Sequence, residues 1–348
     1  MARSRRSWHA LAILAPLLLA ACGGGGVATK PSAQPSTGPM ADTWTWNGDA
    51  WSKVADGRGP AARFMSAMAF DADHGRAILF GGSALLDQFD DTWSWDGKTW
   101  TQLHPAHHPG ALNGQLMAYD EARRQLVLFG GFHGLSTPSE GIPNTWTWDG
   151  QDWTLRASVG PKVLYRQAMA FDPSLGKVIL FGGNLGSIDF SDETWAWDGQ
   201  AWTRLMPALR PAPRAGVSLA WDSARKALLL FGGAAENKAA PDKADEAGVP
   251  LGDTWTLSGG TWTQLAPVLA PTARADATMA YDPRDRSLIL FGGNACPFRS
   301  ETWAWDGTTW KLLRPSLSPA ARTRAAMAAD PDSHVLVLFG GLADTPCL

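Results

Sequence analysis

One feature limits this 348-residue chain more than any other: a repeat of about fifty residues that runs from its first folded segment to its last. Phe-Gly-Gly recurs at Phe80, Phe129, Phe181, Phe231, Phe291 and Phe339. A Thr-Trp pair recurs at Thr43, Thr92, Thr145, Thr194, Thr254 and Thr302, in most copies running on to Trp-Asp-Gly and a further Trp. A period of this length marks units that cannot bury their faces alone and must stack on neighbours.

Each copy reads as four strands. In the first complete copy, Arg63 to Phe70 is a strand of small and apolar residues, and Asp71 to Gly75 is a turn. Ala77 to Phe80 is a continuous apolar run, the pattern of a strand covered on both faces. Gly81-Gly82 frees the backbone for positive φ or for close approach of a neighbour. Thr92 to Trp95 carries two tryptophans on one face, because strand side chains alternate. Asp96-Gly97 suits a type I′ hairpin into the fourth strand, Trp100 to Leu103. Asp-Pro marks the first turn of later copies at Asp172, Asp282 and Asp330.

The chain opens with a third and a fourth strand (Thr43 to Trp46, Trp51 to Val54) and closes with a first and a second (Arg324 to Ala329, Val335 to Phe339). The halves complete each other, giving five whole blades and one shared between the termini. The expected fold is therefore an all-β, six-bladed β-propeller of four antiparallel strands per blade, over residues 42–348. Closure removes the exposed sheet edges that an open array would keep.

These motifs resemble the Kelch repeat from Asp42 to Gly341. The resemblance implies the propeller and leaves the activity open, because Kelch propellers serve as protein-binding platforms, sugar oxidases and sialic-acid epimerases. Function has to be argued from the site.

The leader sets the compartment. Arg3, Arg5 and Arg6 precede a short apolar run, Ala10 to Ala20, and Leu19-Ala20-Ala21-Cys22 resembles the bacterial lipobox. Residues 1–21 read as a lipoprotein signal peptide and Cys22 as the lipidated residue, which anchors the chain to a membrane of the cell envelope. Residues 22–41, rich in Gly, Ser, Thr and Pro, read as a flexible linker. The formal net charge of −3 grows more negative when the leader's arginines leave, and no basic stripe remains for nucleic acid. In an oxidising compartment Cys296 and Cys347, each just after a double glycine of adjacent blades, are candidates for a disulfide.

Turns between strands one and two, and three and four, fall on one face of the disc and are tight. Loops between strands two and three, and between blades, are expected on the other face, where they are long and unequal. Irregular loops on a rigid scaffold are where binding lives. Arg63, Arg214, Arg274 and Arg322 each stand at the start of an innermost strand; Leu112 and Leu164 take the position in the other two blades. They read either as a partial ring for a carboxylate or sulfate, or as scaffold arginines paired with the acid before each third strand: Asp91, Asp253, Glu301 and Asp42.

His104, His107, His108 and His133 fall in one sector of that face, without the ordered spacing of metal ligands. Phe89, Phe132, Phe190 and Phe298 either form a partner or sugar-stacking surface or fold inward. The recurring tryptophans read as packing between blades.

No cofactor or metal is expected. A copper radical oxidase is disfavoured, since Tyr119 and Tyr281 occupy a repeated strand position and leave only Tyr165. Trp-Asp-Gly-x-x-Trp is one residue short of the sialidase aspartate-box turn. The functional expectation is an envelope-anchored module binding a protein or glycan. The alternative is a sugar-modifying enzyme of the epimerase or mutarotase kind, which needs a carboxylate, a histidine and arginines in one pocket.

Overall fold

A computed structural model describes residues 37–54, 59–134, 141–185, 189–237, 248–295 and 297–343. The leader, Cys22, most of the linker, Cys296 and Cys347 lie outside the described residues. The described residues are all strand, turn and loop, with six four-stranded antiparallel sheets and three short two-stranded ones. Blade one comprises Ala67–Asp71, Arg76–Phe80, Thr92–Trp95 and Trp100–Leu103, paired in that order. The first strands of the following blades are Leu116–Asp120, Ala168–Asp172, Ser218–Asp222, Thr278–Asp282 and Ala326–Asp330. Each packs beside the first strands of both neighbours, the sixth against the first, so they encircle a central channel.

Blade six joins the termini. Its inner strands, Ala326–Asp330 and Val335–Phe339, come from the end of the chain. Its outer strands, Thr43–Trp46 and Trp51–Lys53, come from the beginning, with Thr43 opposite Phe339 and Trp46 opposite Leu336.

The repeat motifs explain the contacts between blades. A tryptophan at or next to the start of each fourth strand donates its indole N–H to the threonine of the preceding blade's Thr-Trp pair. Trp51 reaches Thr302, Trp100 reaches Thr43, and Trp153 reaches Thr92, at 2.9–3.0 Å. Trp202 reaches Thr145, Trp262 reaches Thr194, and Trp310 reaches Thr254, at 2.9–3.1 Å. The same indoles pack on the phenylalanine of the preceding blade's Phe-Gly-Gly, as Trp51 does on Phe291 and Trp153 on Phe80, with ring centroids 5.3 and 5.4 Å apart. The double glycine lets the next blade's backbone approach: a Cβ on Gly292 (φ +74°) would lie 2.5 Å from the Arg322 carbonyl oxygen.

Three local expectations are corrected. The first strands begin later than the apolar pattern implies, at Ala67 and not Arg63 in blade one and at Ala326 and not Arg324 in blade six, because Met65 and Arg324 take a left-handed conformation (φ 55°) that delays strand pairing. The Asp-Gly hairpins are not two-residue type I′ turns. Trp95 pairs with Trp100, leaving a four-residue loop in which the Asp96 carboxylate accepts the backbone N–H of Lys98 and Thr99. Only in blade four do two left-handed glycines, Gly259 and Gly260, join directly paired residues, Ser258 and Thr261.

Nor do the loops between blades stay on the loop face. They run over the outer edge and cover the next blade's fourth-strand tryptophan. Leu269 accepts from the Trp310 backbone N–H at 3.1 Å, and His107 meets Asp152 in a turn between third and fourth strands. A large indole at the rim needs that cover.

Two outcomes follow for stability. Trp262→Phe keeps an aromatic ring but loses the indole N–H and part of its volume, so it strands the buried Thr194 hydroxyl and leaves a small gap; it is expected to lower unfolding free energy by about 1–3 kcal/mol, read by urea denaturation of the propeller. Removing residues 37–54 uncovers the edge of Val335–Phe339 and the indole of Trp100. The truncated chain is expected to lose its cooperative thermal transition and to associate in size-exclusion chromatography.

Candidate functional site

The four repeat arginines are buried and engaged with the scaffold. Arg63 is 0% exposed; its Nε donates to the Ala61 carbonyl, and its two terminal nitrogens grip Asp91 at 2.5 and 2.9 Å. It also donates to Gly81 O at 3.0 Å, tying the double-glycine segment to the same fork. Arg214 holds Asp253, and Arg322 holds Asp42, in the same two-pronged way; Arg274 reaches Glu301 through one nitrogen at 2.6 Å. Each acid also accepts the indole N–H of the tryptophan two residues on, Trp93 at 2.7 Å in blade one. Where Leu112 replaces the arginine, Asn144 replaces the acid, but where Leu164 does so the acid stays as Glu193, which accepts the Trp195 indole N–H at 2.8 Å and pairs with Arg204 at 2.9 Å. No ring of free guanidinium groups faces the channel from these positions.

The histidines do not converge. His107 Nδ1 lies 2.7 Å from Asp152 on the rim, and His108 Nδ1 lies 3.9 Å from Asp90. His133 Nδ1 lies 2.6 Å from the Ala111 carbonyl oxygen, and His104 is exposed. Among the described residues no three His, Cys, Asp or Glu side chains come together to hold a metal. The loop phenylalanines turn inward to differing degrees. Phe132 is buried and stacks on Tyr165 at 3.7 Å, Phe89 covers the Arg63 guanidinium at 3.9 Å, and Phe190 and Phe298 are half-buried.

Two hollows lie along the channel, and they share no lining residue. At the loop face, Met65, Gly114, Arg166, Gly216, Asp276 and Arg324 occupy one position in the six blades, all left-handed, with φ of 55–67°. They hand a chain of backbone hydrogen bonds around the mouth: Gly216 N–H to Arg166 O, Asp276 to Gly216, Arg324 to Asp276, Met65 to Arg324, and Gly114 to Met65. Across this iris Asp276 accepts Arg166 Nε at 2.8 Å and Arg324 Nε at 3.2 Å. Burial alone would raise the Asp276 pKa, but the two guanidinium charges and their hydrogen bonds outweigh it and hold the carboxylate ionised. The hollow is about 190 Å³, with Gln115 and Gln167 on its wall.

The opposite mouth, among the tight turns, is larger and apolar, about 530 Å³. The second residue of each first strand supplies a methionine collar: Met68, Met117, Met169, Met279 and Met327, with Leu219 in blade four. The fourth supplies an aromatic collar: Phe70, Tyr119, Phe171, Trp221 and Tyr281, with Ala329 in blade six. Alanines lie between them in every blade. Tyr119 donates to Asp73 at 2.8 Å; burial and that carboxylate push its pKa up to about 12, so it remains a neutral donor. Glu121 stands in the lining, its pKa raised by burial and by neighbouring Asp120. Sequence reasoning looked to the loop face and missed this hollow; the signal was the fixed Met-Ala-aromatic order of the first strands.

No family model matches the chain, and no curated protein matches it. Among solved structures 475 chains match, so the fold by itself discriminates little. One, described as "Structure of YjhT", is 17% identical, covers 78% of this chain and 88% of that one, and superposes with a TM-score of 0.59. At that identity the likeness concerns the propeller fold alone.

Arg63→Ala removes a fully buried guanidinium and leaves the half-buried Asp91 carboxylate without its fork; it is expected to cost about 3 kcal/mol in urea unfolding. The same clamps fix the acid limit of the protein. Burial raises the pKa of Asp42, Asp253 and Glu301, yet hydrogen bonds and charge from Arg322, Arg214 and Arg274 bring each below its ordinary value. Their contribution is therefore complete above the unfolded carboxylate range, about pH 4. It is lost as pH falls through the lowered folded values. Urea midpoints measured from pH 7 to pH 2 should stay level and then drop below about pH 4.

Proposed function

We propose that this chain is a lipid-anchored propeller of the bacterial cell envelope that binds a partner protein through its loop face and is not an enzyme. The lipobox at Leu19 to Cys22 supports the anchor. The observation that carries the binding reading is the loop tip of blade one. Leu85 and Leu86 are 66% and 88% exposed there, on a loop whose Gln88 is laced to blade two through Phe132 O, Gly134 O and Gly134 N. An apolar tip held rigid by side-chain hydrogen bonds forfeits little entropy on docking, which is what an interface anchor requires.

The chemistry of the loop-face mouth points the same way. Its carboxylate, Asp276, is held ionised between two arginines and has no proton to give. The histidines that a sugar epimerase would recruit lie apart from it, on the rim or against backbone and carboxylate partners. An acid and a base converging on one ligand position, as epimerisation demands, are not found among the described residues of that mouth.

The test is a pull-down from the organism's own envelope fraction with residues 37–348, beside a glycan array and a sugar isomerisation assay. A discrete partner protein is expected, lost when Leu85→Asp and Leu86→Asp are combined and retained by Lys98→Ala on the opposite face. Specific glycans on the array with no protein captured would replace the partner by a sugar. Turnover in the isomerisation assay would overturn the binding reading.

A further inference from the structure

We propose that the tight-turn mouth of the channel is a second binding site, built for an apolar chain that carries a cationic head. It is independent of the loop-face reading, since the two hollows share no residue. The cavity, about 530 Å³, falls within the range of small-ligand pockets, roughly 300–1,000 Å³. Its deeper wall is thioether and methyl, which accept an aliphatic chain without requiring hydrogen bonds. The alanine kept at the middle position by all six blades holds the bore open, where any larger residue would fill it.

The head-group follows from charge. Glu121 is the one charged residue among the described lining residues, and no lysine or arginine joins it. Of the basic residues of the neighbouring turns, Arg123 is directed to Asp120 and Gly176 O, and Arg225 to Asp222 and Arg286 O. Arg124 pairs with Asp73 and also bonds Tyr119, and Arg286 bonds Tyr281, so these two guanidinium groups are engaged at the collar and do not line the cavity. A cation at the mouth thus meets a carboxylate and five aromatic side chains, whose faces attract positive charge. An anionic head would meet the same carboxylate, while Arg124 and Arg286 are already engaged by Asp73 and the collar tyrosines. Ala329 breaks the aromatic collar at blade six and leaves a notch through which a chain can enter.

The experiment is calorimetric titration of residues 35–348, the unit that holds all six blades, with decyltrimethylammonium below its micellar concentration. Decyl sulfate and tetramethylammonium serve as comparison ligands. Decyltrimethylammonium is expected to bind one per propeller, at least about tenfold more tightly than either, a difference of about 1.4 kcal/mol. Glu121→Gln should narrow the gap between the two decyl ligands. Ala118→Leu, which fills the bore, should abolish both. Ala328→Leu on another blade provides the same block should the first variant melt early. Equal affinity for the cationic and sulfate ligands would overturn the head-group assignment. Unchanged binding by a folded bore-filling variant, or no binding by the wild-type propeller, would overturn the site.

Discussion

Six indole N–H groups, each donated to a threonine hydroxyl of the blade before, are the interaction on which the rest of this structure depends. A four-stranded meander has two apolar faces and no means of covering both. The fourth-strand tryptophan crosses to the preceding blade, seats its ring on the phenylalanine of Phe-Gly-Gly and satisfies the one polar atom it takes out of water. Because the relation is directional, it closes only when the sixth blade both gives and receives. Trp51 and Thr43, from the first folded residues, provide those two halves, which is why the outer strands of blade six come from the opposite end of the chain.

The arginine clamp is a second recurring device. It links three things that are distant in sequence: the segment before a first strand, the double glycine after the second, and the acid before the third. Arg63, Gly81 and Asp91 meet in one fork, and Trp93 completes it. Its recurrence in four blades with the same carbonyl and carboxylate partners marks it as scaffold chemistry. A residue of the same type two positions beyond the clamp position, Arg166, belongs instead to a cluster that spans the channel.

Repetition decided what was legible beforehand. Residues that make the same contact in every blade leave a period, so the blade count, the shared sixth blade, the packing role of the tryptophans and the acids facing the arginines could all be read from spacing. Arg166 and Asp276 lie 110 residues apart and meet once, which leaves no period to find. The hairpins misled because Asp-Gly favours a two-residue turn in isolation, whereas the Asp96 carboxylate can cap a longer one through Lys98 and Thr99. The large apolar hollow was written in the Met-Ala-aromatic order of the first strands, yet that order also fits plain core packing. Only the arrangement of six such strands about one axis turns it into a cavity.

The shared blade also settles how this ring would carry mechanical load. Thr43–Trp46 lies between Trp51–Lys53 and Val335–Phe339, bonded to both along its length. Tension arriving through the residues before Asp42 pulls along that strand, so its rungs share the force in shear and do not unzip in succession. Asp42, at the point of entry, is gripped by Arg322 from the far end of the chain. A tug on the amino terminus is thereby passed straight into the carboxy-terminal strands.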